Sequence, residues 1–171
     1  MKTTSMKLKK FDKAFIDFAS KWFSPLTRIA LFIIFAYFGF LKLLNISPAE
    51  GLAHELVSQT VGLQYFDQLF IALAVFEVFI GLSFLVPKLT RISILLLFIH
   101  MLVVCSPLII IPEAVWHSPF VPNLEGQYII KNLALLVLAL GLVAKTQPLK
   151  KSSTNKVLPM HSPRVNKVTS K

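Results

Sequence analysis

The chain has 171 residues and a formal net charge of +10, with 55% of residues hydrophobic and only 15% charged. A soluble domain carries about 25% charged residues, so this composition, with a mean hydropathy of +0.69, excludes an ordinary soluble domain and points to an integral membrane protein. Nucleic acid is not the partner the charge implies: the lysines and arginines cluster in two tails and one short loop beside apolar spans, where they act as topological signals and attract anionic lipid.

Residues 1–24 form a basic arm. Phe11, Phe15, Phe18 and Trp22 recur at helical spacing, with Lys10, Asp17 and Lys21 elsewhere around the helix. That pattern predicts an amphipathic helix lying on the inner leaflet. Lysines before an apolar run resemble a signal peptide, but the basic region is too long and no small-residue cleavage site follows, so the run is read as an uncleaved span. Four runs, roughly 26–44, 68–86, 92–111 and 127–144, have the length to cross a hydrocarbon core of about 30 Å. Their short connections favour a four-helix bundle over residues 25–145.

The first loop contains Ser47-Pro48-Ala49-Glu50, a capping box with proline at the first helical position, and predicts a short helix carrying Leu52 and Leu56. The third loop holds Pro112, Pro119 and Pro122 with Trp116 and Phe120, which predicts an ordered aromatic cap rather than a helix. Asn123 is the expected N-cap of the last span. Residues 146–171 are basic and rich in Ser, Thr, Asn and Pro, a composition that predicts disorder. The fold class is therefore all-α: an integral membrane four-helix bundle with an N-terminal amphipathic helix, a short outer-loop helix and a disordered C-terminal tail.

Orientation follows from the basic residues. The arm, the short second loop (Lys88, Arg91) and the tail hold them, whereas the first loop (45–67) and the third (112–126) have no Lys or Arg and carry Glu50, Glu55, Asp67, Glu113 and Glu125. Both termini are expected on the cytoplasmic side of the membrane. The single cysteine, Cys105, excludes an intrachain disulfide.

Ionisable residues inside a membrane are costly and tend to face the bundle interior. Arg28 lies near the inner end of its span and is explained by snorkelling to headgroups. Lys42 and Lys131 lie near the outer face but differ in direction, because helical side chains lean towards the helix N-terminus. Lys131 leans towards outer water; Lys42 leans inwards and needs a partner. Small residues on the same faces (Gly39 with Lys42, Ala74 and Gly81 with Glu77, Ala134 and Gly141 with Lys131) mark contact surfaces, so all three charges are expected to point into the bundle. Glu77 and His100 lie deeper, near mid-membrane, below the two lysines. Glu77 is expected to pair with His100, with a lysine or with a bound molecule. His100 is the only histidine in a span, which argues against a bis-histidine haem within one monomer. The spacing of His54, Glu55, Glu113 and His117 specifies no metal site.

Several of these positions resemble the DoxX family. Arg28 followed by an aromatic run and Gly39-Phe40-Leu41-Lys42, then Glu77 with Ile80-Gly81, then Thr90-Arg91, are similar to its first three helices. Leu124-Glu125-Gly126-Gln127-Tyr128-Ile129-Ile130-Lys131-Asn132-Leu133 is similar to the start of the last helix in one branch, which borders the YkgB-like membrane proteins of the reactive-chlorine response. The resemblance covers roughly residues 28–143. It implies a four-helix membrane protein from a family named for a small subunit of a thiosulfate:quinone oxidoreductase, with other members linked to oxidative or thiol stress as membrane partners of redox proteins. It supplies no catalytic motif. Arg28, Gly39, Gly81, Glu125 and Gly126 are family-pattern positions, and Lys42, Glu77, His100, Lys131 and Asn132 are the polar-core candidates.

Three readings follow. In the first, the protein is non-enzymatic by itself and supports a redox or stress-response membrane complex, with a redox enzyme or further copies of itself as partners. In the second it is a quinone-reactive oxidoreductase subunit, quinone being the one cofactor it would take, with a lysine donating to a carbonyl oxygen and Glu77 handling protons. In the third it is a small-solute or proton pathway.

Overall fold

A computed structural model describes residues 2–146 of the chain, with side chains from Met6 onward. The predicted tail therefore lies, apart from Thr146, outside the described residues. Helix α1 spans Lys2–Leu43, α2 Glu50–Ser58, α3 Phe66–Leu85, α4 Thr90–Cys105, α5 Pro107–Ile110, α6 Pro112–Val115 and α7 Leu124–Ala144; a hairpin of β1 (Trp116–Ser118) and β2 (Val121–Pro122) precedes α7. Four stretches are long and apolar enough to cross a membrane: Met6–Leu43, Leu63–Leu85, Pro87–Ile110 and Leu124–Ala144. The chain is an all-α multi-pass membrane bundle.

The core lies between α1, α3, α4 and α7. Leu31, Ile80, Phe84, Leu97 and Ala139 are fully buried there, while most other apolar side chains of the spans face outwards. An exposed Ile or Phe on a membrane helix meets lipid, so association cannot come from the hydrophobic effect and falls to close packing and polar contacts. The close packing is concentrated between α1 and α3. A Cβ on Gly39 would lie 2.8 Å from the Ala74 carbonyl oxygen and 2.9 Å from the Val78 nitrogen; one on Gly81 would lie 2.7 Å from the Ala36 nitrogen. Each helix thus presents its glycine to the other's backbone.

Four local expectations change. The amphipathic arm is helical, but it runs into the first span as one helix although Pro25 lies inside it. Proline lacks the N–H that would bond the Lys21 carbonyl; the Lys145 ammonium donates to the neighbouring Ser20 carbonyl at 2.9 Å. The capping box does not form: α2 starts at Glu50 after Ala49, and Ser47 Oγ accepts from the Ala49 N–H at 3.3 Å instead. The third run is interrupted at Ser106-Pro107, where proline again removes a donor, so the span divides into α4 and the one-turn α5. The third loop is ordered, but as a one-turn helix and a hairpin rather than a non-helical cap. The expected N-cap is present: Asn123 Oδ1 accepts from the Gly126 N–H at 3.0 Å while Nδ2 donates to the Ala114 carbonyl at 2.7 Å.

Candidate functional site

The antiparallel register of α1 and α3 places the polar residues. Gly39 lies against Ala74 and Val78, and Gly81 against Phe32 and Ala36. Lys42 is therefore about one turn, roughly 6 Å, nearer the N-terminal end of α3 than Glu77. The Lys42 side chain leans back along α1 and Glu77 leans the opposite way along α3, because each points towards its own N-terminus. The two meet: Lys42 Nζ donates to Glu77 Oε2 at 2.5 Å. Both side chains are 7% exposed. The other carboxylate oxygen, Oε1, lies 3.3 Å from His100 Nε2 on α4.

One carboxylate thus links three helices. The His100 ring is packed edge-on against Phe35 on α1, at 5.6 Å between centroids, and tilted against Phe76 on α3, at 6.1 Å. With Nε2 turned towards the carboxylate, Nδ1 is the remaining nitrogen. It is buried and has no hydrogen-bond partner among the described residues. A buried unpaired nitrogen is uncommon and marks a place where a small donor could bind.

Lys42 does start nearer the N-terminal end of α3 than Glu77, and its side chain closes the one-turn gap. About six residues of α3 continue past the end of α1, so a lysine one residue from the end of α1 lies only one turn from the level of the carboxylate. Lys131 departs further from expectation. It is exposed, at the edge of the outward side of α7, with Nζ 5.4 Å from the Tyr128 ring centroid. Its lean towards the N-terminus of α7 wins over the small residues beside it: Ala134 is exposed, and Gly141 packs against Phe23 rather than against a polar centre. Asn132 is half-buried and takes no part in the Lys42–Glu77–His100 ion pairs. Glu125 is exposed. Gly126 is buried with its Cα against the Val115 carbonyl and Pro122, where any side chain would collide.

Arg28 does more than snorkel. Nη1 donates to the Phe84 carbonyl at 3.0 Å and Nη2 to Thr90 Oγ1 at 2.6 Å. It satisfies one of the last carbonyls of α3 at the negative end of that helix and ties it to the first residue of α4. Thr90 and the two phenylalanines around His100 are site residues that charge-based reading passes over. Thr90-Arg91 is visible as a pattern, but its acceptor role depends on the turn that brings it under Arg28. Among the described residues no cluster of three or more His, Cys, Asp or Glu side chains is arranged for a metal ion.

These features define a multi-pass membrane protein with a polar centre closed between its first three spans. Residues 24–110, half the chain, match the sequence model of the DoxX family. The chain belongs to the DoxX family. The matched region contains Arg28, Gly39, Lys42, Glu77, Gly81 and His100 and ends before α7. No curated protein and no solved structure matches the chain.

Proposed function

We propose that the protein is a non-catalytic membrane subunit that supports a redox or oxidative- and thiol-stress complex in a bacterial cytoplasmic membrane. The observation that carries this reading is the contrast between α7 and the other spans. The first three are cross-linked by Lys42, Glu77, His100 and Arg28. The most apolar window of α7 is only 17% buried, against 28%, 39% and 33% for the others. Leu133 and Val137 are more than 60% exposed along it. Three spans joined by polar links, with a fourth that packs on them by a narrow face and shows the rest outwards, suit a scaffold that offers a helix to a neighbour. The redox character of that neighbour is drawn from the DoxX family.

A photo-crosslinking residue at Leu133 or Val137, in native membranes, is expected to trap a flavin-, haem- or thiol-active enzyme subunit. The same residue at Val75 or Phe79 on α3 is expected to give lipid adducts only. Lipid or self-adducts alone from all four positions would reject the reading.

The basic arm and Lys88 support cytoplasmic termini. In a Cys105→Ser background, cysteines at Glu50 and Glu113 are expected to react with an impermeant thiol reagent added to intact cells, and one at Lys88 is not. The reverse pattern would overturn the orientation.

A quinone-reactive subunit is the second reading, favoured by one observation: His100 Nδ1 is a buried acceptor without a donor, as a quinol hydroxyl would require. Quinone retained through mild-detergent purification and lost in His100→Phe would favour it over the first.

A further inference from the structure

The loop between α4 and α7 forms a shallow, open cavity of about 520 Å³ lined by Pro112, Glu113, Trp116, Ser118, Pro119 and Phe120. One wall is anchored. The indole N–H of Trp116 donates to the Leu108 carbonyl at 3.1 Å, which holds the ring in place. Pro119 and Phe120 are the two residues joining β1 to β2, and Phe120 has φ +63°. That left-handed conformation favours glycine or asparagine and disfavours a bulky side chain. The chain nonetheless places a phenyl ring there and leaves it 93% exposed. Packing within the monomer does not explain this ring.

Charge narrows what could occupy the cavity. Neither loop on this face, 45–67 or 112–126, contains Lys or Arg, and between them they carry five carboxylates. The two lysines of the adjoining helix ends are engaged elsewhere, Lys42 with Glu77 and Lys131 over Tyr128. Glu113 therefore stands in the cavity without a cationic neighbour from these loops, beside two aromatic rings and two prolines. A carboxylate beside aromatic faces suits an organic cation, which gains from ring quadrupoles and charge together. A phosphate would meet no basic side chain from either loop, which argues against a phospholipid headgroup. We propose that this cavity binds a phosphate-free organic monocation of the alkylammonium class.

Trp22 and Trp116 are the only tryptophans, so Trp22→Phe leaves Trp116 as sole reporter. Titrating tetramethylammonium or choline into that purified full-length protein is expected to change Trp116 emission saturably, while potassium chloride at equal ionic strength does not. Glu113→Gln and Phe120→Gly are each expected to weaken binding roughly three- to tenfold. Phe120→Gly relieves the backbone conformation, so its Tm is expected to stay level or rise as binding falls. The proposal is overturned by the absence of a saturable change, by undiminished binding in both variants, or by a fall in Tm for Phe120→Gly, which would make the ring a packing element. Tighter binding of glycerophosphocholine than of choline would overturn the assignment to a phosphate-free cation.

Discussion

Glu77→Gln is expected to destabilise the protein by about 3–5 kcal/mol, the cost of leaving a buried charge without its partner. The Lys42 ammonium belongs to a buried side chain and would keep a hydrogen-bond acceptor but lose the opposite charge. The carboxylate also faces His100, so α4 loses a charged neighbour on α3 in the same substitution. The control is a second change. Lys42→Met added to Glu77→Gln removes the stranded charge, and most of the lost stability is expected to return, because replacing both members of a buried pair is often neutral. Arg28→Gln is expected to cost less, about 1–3 kcal/mol, since it breaks two hydrogen bonds at a half-buried position. Thermal unfolding of the four proteins in one detergent gives the order. A single Glu77→Gln variant as stable as the parent would reduce the three-residue group to filler.

Gly39→Ala and Gly81→Ala are expected to destabilise by about 1–3 kcal/mol each, despite alanine being the better helix former. The added methyl would meet backbone atoms of the facing helix at 2.7–2.9 Å, and backbone cannot rotate away as a side chain can. The helices must separate, which also draws Lys42 from Glu77. The effect of Gly39→Ala is therefore expected to be smaller in the Lys42→Met, Glu77→Gln background than in the parent, a coupling measurable by a double-mutant cycle. Gly51→Ala is the internal comparison. Nothing lies within 4 Å of its new methyl, so it is expected to be neutral or to stabilise by up to about 1 kcal/mol. If all three behave alike, close approach is not what holds α1 against α3.

The sequence made some of this legible and hid the rest for physical reasons. Lys42 could be assigned a partner because side-chain direction is a property of the helix itself. Its depth could not, because the ends of apolar runs do not report the register, which is set by where Gly39 and Gly81 meet the opposite backbone. Lys131 carried two opposed signals, lean and neighbouring small residues, and only the packing of α7 decides between them. The break at Ser106-Pro107 was visible as a proline inside an apolar run but was counted as part of a continuous span. The Arg28–Thr90 bond needed a turn whose geometry neither residue encodes alone. The N-cap at Asn123, a purely local matter, was readable in full.

The Lys42–Glu77 pair has a consequence for biogenesis. The two residues are 35 positions apart, and the lysine comes first. At ordinary translation rates, the ribosome adds the carboxylate roughly two to seven seconds after the lysine. During that interval the first span carries a cation with no counter-ion, which disfavours its entry into lipid. The second span brings the neutralising group and runs in the opposite direction. Entry of α1 and α3 as a hairpin, with the charges cancelled before either helix meets lipid alone, is the route this arrangement favours. Glu77 then acts on the protein before it is folded, as the partner that lets the first span stay in the bilayer.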